Sequence, residues 1–266
     1  SPEVLKKITT EKELSYYAKQ PHNSPSVLFN GMINAIIPFT IKGVIWYQGE
    51  GNSGRYQNYM KLMNGLIKNW RDEWGLGDFP FYFVQLAPNG SLGQGNGKSQ
   101  AFLREAQLKT MLSVKNTGMA VTLDIGSTIT NHPPEKLLIG KRLAYWALAK
   151  NYGFDGLPYS GPIYESMKVK NNKVYVNFKY AQSGVTSYGK PLNGFEVAGE
   201  DKKFYKADAS IDPHYSAGEN RSVLILSSKH VPNPLYIRYG WKNYIEGTLY
   251  NVEGLPASSF RSYNFD

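Results

Sequence analysis

Short apolar runs alternate with helical patterns between residues 41 and 150, and this alternation is the strongest constraint on the fold. The apolar runs are rich in β-branched and aromatic residues and have the length of strands buried on both faces. The segments between them place apolar residues three and four positions apart, as amphipathic helices do. The strand candidates are 44–47, 79–87 and 119–124, and the helix candidates are 56–74, 102–111 and 136–150. We therefore predict an α/β fold with a doubly wound parallel sheet.

The pattern changes near Pro158, after which short β-rich runs are separated by Gly, Asn and Pro turns. These runs are 173–178, 195–198, 223–227 and 235–239. Such spacing is typical of a small antiparallel domain resembling a β-sandwich. The predicted organisation is an N-terminal helix and linker over 1–25, an α/β domain over 26–158, and an antiparallel β domain over 159–266.

The N-terminal region combines a polar helix, a linker and a second helix. Residues 5–17 are the polar helix candidate and 21–25 the Pro-rich linker, and 27–37 show helical spacing before Pro38. The first residues do not show a charged leader followed by an apolar core, so no signal peptide is predicted.

Composition excludes several classes of function. The sequence contains no cysteine, which excludes disulfides, thiolate catalysis and cysteine-bound metals. Lysine and arginine number 30 against 21 acidic residues, but the lysines are scattered and no nucleic-acid motif accompanies them. We predict no nucleic-acid partner, no membrane span, no metal and no cofactor.

Polar residues follow the first predicted strand directly. Gln48, Gly49, Glu50 and Asn52 come after the apolar run that ends at Tyr47. In open α/β sheets, ligands bind beyond the carboxyl ends of the strands. This cluster is therefore a candidate site.

Two further candidates follow the third predicted strand. Asp124 is placed at the end of that strand, and His132 lies on the loop before the next helix. An imidazole in such a position can act as a general base near neutral pH. His132 is also compatible with a surface or capping role.

A set of short motifs occurs in a fixed order from about residue 25 to the C-terminus. They include 42–50 (KGVIWYQGE), 83–86 (FVQL), 104–107 (REAQ), 124–126 (DIG), His132-Pro133, 238–241 (RYGW) and 254–257 (GLPA). Together they resemble the sialate O-acetylesterase family of the SGNH/GDSL hydrolase superfamily. The order of the set makes the resemblance specific, although each motif alone is weak.

The resemblance implies ester hydrolysis by a serine that a histidine activates, with an oxyanion hole of backbone N–H and amide donors. His132 matches the catalytic base, and Gln48 and Gly49 match the segment beside the oxyanion. Arg104 matches an arginine expected to pair with Glu50, and Asp124 is the candidate for orienting the base. Tyr47 and Tyr56 are candidate substrate contacts, together with the loop over 89–98.

The sequence departs from the family pattern in two places. Ile129 and Thr130 stand where the superfamily and the family, respectively, often carry an acidic residue before the histidine. The Gly-Gln-Ser-Asn segment that carries the family's nucleophile is absent. The α/β domain is therefore predicted to be incomplete, with the serine supplied by a missing N-terminal half or subunit. A chain lacking that half is expected to bind it or to form a homo-oligomer.

The leading interpretation is an esterase that removes acetyl groups from O-acetylated sialic acid. The alternatives are an acetylesterase of xylan or another polysaccharide, and a non-catalytic carbohydrate-binding protein that uses the aromatic late β region. The resemblance favours a periplasmic or secreted location.

Overall fold

The computed structural model describes residues 19–211 and 223–265. The predicted polar helix over 5–17 lies outside the described residues. The structure has a parallel sheet and antiparallel sheets, which agrees with the predicted α/β class.

A three-stranded parallel sheet forms the first part of the chain. Its strands are β1 (Val44–Trp46), β2 (Phe81–Val84) and β3 (Thr117–Ala120), in the order β1-β2-β3. All four residues of β2 are buried, as its uninterrupted apolar sequence predicts. Val44 pairs with Phe81, which in turn pairs with Thr117.

Helices cover both faces of this sheet. They are α1 (Tyr59–Trp74), α2 (Ser99–Ser113) and α3 (Lys136–Asn151). Phe81 and Phe83 belong to the cluster that includes α1 and α2, whereas Tyr82 and Val84 pack with residues of α3. The sheet is thus wound on both sides, because successive side chains of a strand point to opposite faces.

Short helical turns connect these elements. They are Pro21–Asn23, Asn34–Ile36, Glu50–Asn58 and Ser91–Asn96 with 3₁₀ geometry, and Phe29–Ile33 with π geometry. The predicted helix over 27–37 is therefore broken into short turns of different pitch, and none of its residues is fully buried. Ile33 and Ile37 pack against the hydrophobic core, but Leu28, Met32 and Ile36 stay exposed, so the segment buries only part of the face that normally stabilises a helix of this length.

The rest of the described chain is almost entirely antiparallel. One sheet has the order β4-β5-β10-β9, a second has β13-β11-β7-β8, and β12 pairs with β6. The strands are β4 (Ile163–Lys170), β5 (Lys173–Lys179), β6 (Val185–Thr186), β7 (Phe195–Ala198), β8 (Phe204–Lys206), β9 (Asp208–Ile211), β10 (Leu224–Ser227), β11 (Tyr236–Tyr239), β12 (Tyr250–Asn251) and β13 (Phe260–Arg261).

The antiparallel part packs directly on α2. Arg261 of β13 donates to both carboxylate oxygens of Glu105, at 2.9 and 3.0 Å. Gln85, just after β2, donates to the hydroxyl of Ser258 at 2.7 Å. One hydrophobic cluster includes residues from both parts. The predicted boundary near residue 158 therefore separates two kinds of sheet that share a core.

Within the described residues, no helix has the length and apolar character needed to cross a membrane.

Candidate functional site

The loops that follow the three parallel strands meet at the carboxyl edge of the sheet. The loops after β2 and β3 continue the parallel pairing through a bridge between Asn89 and Ser127. Gly90 N–H donates to the Ser127 carbonyl at 2.9 Å, and Ser127 N–H donates to the Pro88 carbonyl at 3.0 Å. This edge is where ligands bind in folds of this class.

The loop after β1 reaches the start of α3. The Lys136 ammonium donates to the Tyr47 hydroxyl at 3.2 Å and lies 4.6 Å from the centroid of its ring. Lys136 follows His132 by only four residues. The structure therefore connects the two segments that sequence patterns identified as candidate sites.

The segment from Gln48 to Asn52 is internally bonded. The Gln48 side-chain amide donates to Asn52 Oδ1 at 2.7 Å, and Asn52 N–H donates to the Gly49 carbonyl at 2.9 Å. Tyr59 of α1 donates to the Gln48 carbonyl at 3.1 Å. Glu50 begins the turn that follows and is partly buried. These contacts fix the backbone at the end of β1.

Gly49 is buried against α2, where a Cβ atom would lie 3.3 Å from Gln107 Nε2. Gln107 is itself held in place, because its side-chain oxygen accepts from Leu86 N–H at 2.8 Å. The Gly49 N–H has no acceptor within the described residues. A free backbone N–H on a fixed segment is a suitable donor for an oxyanion.

Tyr47 and Tyr56 differ in their surroundings. Tyr47 is exposed, apart from its contact with Lys136. Tyr56 stacks on Phe102 of α2, with ring centroids 4.7 Å apart and planes 11° apart. Of the two rings, Tyr47 is thus better placed to meet a ligand, and Tyr56 mainly packs between elements.

His132 is exposed, and its imidazole has no hydrogen bond within the described residues. Its backbone is held, since its N–H donates to Thr130 Oγ1 at 3.1 Å. The N–H groups of Ile129 and Thr130 donate to Ser127 Oγ at 3.2 and 3.3 Å. A fixed backbone that carries a free imidazole is compatible with a proton-transfer role.

Ser127 therefore connects the His132 loop to the loop after β2. Gly126 contributes to this connection because a Cβ atom at that position would lie 2.3 Å from the Pro88 carbonyl oxygen. Sequence reasoning did not identify Ser127. The only local signal is the serine itself, because a serine hydroxyl commonly accepts from backbone N–H groups a few residues later.

Asp124 lies four residues beyond the observed end of β3, and not at the strand end as predicted. Both of its carboxylate oxygens accept from Arg142 of α3, at 2.8 and 2.6 Å. Arg142 also donates to the Val121 carbonyl at 2.7 Å, and the side chains of Asp124 and Arg142 are 7% and 4% exposed. Within the described residues no hydrogen bond joins Asp124 to His132. The Asp124–Arg142 ion pair instead holds the turn after β3 against α3.

The predicted ion pair between Arg104 and Glu50 is not formed. The fully buried Arg104 guanidinium donates to Ser259 Oγ at 2.9 Å and to the backbone carbonyls of Gly240 and Lys242 at 2.9 and 2.5 Å. Burial lowers the pKa of Arg104 to about 9. The reason for the difference is that β13 and the segment after β11 cover α2 and offer carbonyl acceptors.

Asn243 links the segment after β11 to the glycine-rich loop after β2. Its side-chain oxygen accepts from Gln100 N–H at 2.9 Å, and its carbonyl accepts from Asn89 N–H at 3.1 Å. The next residue, Tyr244, donates its N–H to the Gly95 carbonyl at 2.9 Å. Contacts across about 150 residues hold this loop, and the sequence carries no local signal for them.

The ranges 19–211 and 223–265 contain no group of three or more His, Asp or Glu side chains arranged to hold a metal ion.

The structure is an α/β fold in which the loops after the parallel strands meet at one edge of the sheet, and comparison with known proteins specifies the family. A family model described as carbohydrate esterase, sialic acid-specific acetylesterase, matches residues 14–148, just over half of the chain. The chain belongs to this family, which confirms the resemblance that the motifs indicated.

Several relatives are similar over most of the chain. Human sialate O-acetylesterase is 33% identical over 266 residues, which cover 91% of this chain and 49% of that protein. The mouse sialate O-acetylesterase is 27% identical over 269 residues, covering 88% and 47%. The chain thus spans about half the length of the curated relatives it matches.

A solved structure is similar at the level of the fold. The crystal structure of a novel carbohydrate acetylesterase from Xanthomonas citri superposes with a TM-score of 0.83 at 36% identity. The match covers 93% of this chain and 56% of the Xanthomonas chain.

Proposed function

We propose that this chain carries the base and the oxyanion side of a carbohydrate O-acetylesterase that hydrolyses acetyl esters of sialic acid. The observation that carries the proposal is the junction of two loops: Lys136, four residues after His132, contacts Tyr47, the residue before Gln48, which supports a site shared by both loops. Family membership supports ester hydrolysis as the reaction of that site.

The mechanism follows from the groups at the edge of the sheet. A serine hydroxyl attacks the acetyl carbonyl carbon while His132 accepts the hydroxyl proton. The resulting oxyanion accepts from Gly49 N–H and from an amide of Gln48 or Asn52. The intermediate collapses, the sugar leaves with the proton held by His132, and water releases acetate from the acyl-serine through the same base. Asp124 acts in this proposal by holding the turn before His132 through Arg142.

The serine belongs, in this proposal, to a further segment with the Gly-Gln-Ser-Asn sequence, carried on the same or on a second polypeptide. The sequence of this chain has no such segment. Its relatives are about twice as long as the aligned part, which supports the assignment of the nucleophile to the other half.

Within 19–211 and 223–265, β1 pairs only with β2, and its other edge is a suitable docking surface for that half. Val44 N–H donates to Pro80, so the N–H and C=O of Ile45 point away from β2. Ile45 is 71% exposed, and Phe39 and Met32 nearby in sequence are 70% and 64% exposed. An edge strand that exposes a large apolar side chain is a template for an added strand. A parallel strand added here would end beside Gln48.

Joining this chain to the complementary half of a relative should create acetylesterase activity that the chain alone lacks. The measurement is acetate release from O-acetylated sialic acid and from acetyl-xylan, because the similar Xanthomonas protein is a carbohydrate acetylesterase and not one restricted to sialic acid by name. Replacing the nucleophilic serine of the added half by alanine is the control. Steady acetate release by this chain alone would refute the missing-serine proposal, and a well-folded joined protein without acetate release on any ester would refute the esterase proposal.

Ile45→Lys should weaken association with a separately added complementary half by about tenfold or more, since a lysine on an edge strand opposes strand addition. Leu62→Lys is a matched control, because Leu62 is 58% exposed on α1 and lies outside the edge. Sedimentation or titration calorimetry measures both. Equal affinities for the two variants would place the partner on another surface.

A further inference from the structure

A cavity of about 230 Å³ opens on the antiparallel part of the chain. It lies between Gly194 and Glu196 at the start of β7, Lys206 at the end of β8, and the segment 241–245. This volume is slightly below the usual range of small-molecule sites, about 300–1,000 Å³, and suits a single ring better than a chain of rings.

The cavity carries excess positive charge. The Glu196 carboxylate is neutralised by Arg238, whose Nε donates to it at 2.7 Å. Lys206 and Lys242 are both exposed, and neither ammonium has a hydrogen bond or ion pair within the described residues. Two unpaired ammonium groups at one opening favour an anion.

The rest of the cavity wall is apolar and closely packed. Trp241 packs edge-on against Phe102, with centroids 5.3 Å apart, and Ile245 also lines the cavity. Gly194 has a φ of +81°, and a Cβ atom there would lie 2.2 Å from Ile245 Cδ1. A side chain at position 194 would therefore displace Ile245, so glycine preserves the shape of this wall.

The segment that lines the cavity also holds the proposed catalytic region. The Lys242 carbonyl accepts from Arg104, and the following Asn243 and Tyr244 bond to the glycine-rich loop after β2. A ligand in the cavity would thus contact the segment that positions that loop.

We propose that this cavity binds a sugar acid, with its carboxylate at Lys206 and Lys242 and its ring against the apolar wall. The positive charge selects the carboxylate, and the size of the cavity selects one ring. Binding at this cavity is independent of the hydrolytic chemistry proposed above, since it uses only residues of the late β region and the segment after β11.

Calorimetric titration of the chain with N-acetylneuraminic acid tests this proposal. We expect binding that weakens as salt is raised, and no comparable binding of methyl N-acetylglucosaminide or of acetate. The double variant K206E/K242E should bind about tenfold or more weakly than the parent. The matched control is K170E/K173E, which makes the same change in net charge at two exposed lysines near the β4–β5 turn.

The control variant should bind like the parent. If both double variants lost affinity for the sugar equally, net charge alone would explain the loss and the proposed site would be overturned. Binding of acetate as tight as that of N-acetylneuraminic acid would overturn the sugar ring as part of the ligand. Absence of measurable binding by the folded parent at millimolar sugar would also overturn the proposal.

Discussion

Replacing His132 by alanine in the joined, active enzyme is expected to lower acetyl-ester turnover by about a thousandfold, because a positioned base contributes about 10²–10⁴ to such reactions. The imidazole is exposed and makes no hydrogen bond within the described residues. Its removal should therefore leave the free energy of unfolding unchanged to within about 0.5 kcal/mol. A large loss of turnover without a loss of stability separates a chemical role from a structural one.

His22 provides the control for this variant. It is also an exposed histidine of the described chain, and it lies in the turn Pro21–Asn23. His22→Ala should retain the parent turnover on the same ester. Turnover of His132→Ala within about threefold of the parent would rule out His132 as the base.

Arg104→Met should lower the free energy of unfolding by about 3 kcal/mol. The substitution removes a buried cation that donates to Ser259 and to the carbonyls of Gly240 and Lys242. Methionine fills most of the space but donates to none of them, and each buried acceptor left without a donor costs about 1–3 kcal/mol. For a chain of this size, the expected fall in melting temperature is about 6–12 °C, which thermal unfolding measures.

Two further variants test whether the lower free energy of unfolding comes from the buried hydrogen bonds of Arg104. Arg104→Lys keeps the charge with fewer donors and should lie between the parent and the methionine variant. Arg55→Met removes an exposed arginine and should change stability by less than about 0.5 kcal/mol. If Arg104→Met and Arg55→Met unfold at the same temperature, the buried network does not stabilise the fold.

Sequence patterns predicted the elements whose signals are local. The helix predicted over 136–150 is observed as Lys136–Asn151, and the strand predicted over 195–198 is observed with those bounds. Both signals arise from neighbouring residues: apolar spacing in the helix, and β-branched and aromatic residues between turn formers in the strand. The alternation of strands and helices was sufficient to predict the parallel sheet.

The partners of charged side chains could not be predicted in the same way. Arg104 bonds to residues more than 130 positions away, and Asp124 bonds to a residue on the next helix. A sequence gives the charge of a side chain but not which acceptor lies near it after folding. The segment 27–37 shows a related limit, because its helical spacing is present whereas only part of its apolar face packs against the core, through Ile33 and Ile37.

The buried contacts of Arg104 and Asn243 also restrict how members of this family can exchange parts. Helix α2 carries Arg104, whereas its acceptors lie between β11 and β13, so the two regions must change together. A chimera whose late β region holds the backbone after β11 in a different conformation would leave the Arg104 cation inside the protein with fewer acceptors. Recombination is therefore expected to succeed when α2 and the residues after β11 come from the same parent, even though they are far apart in the gene.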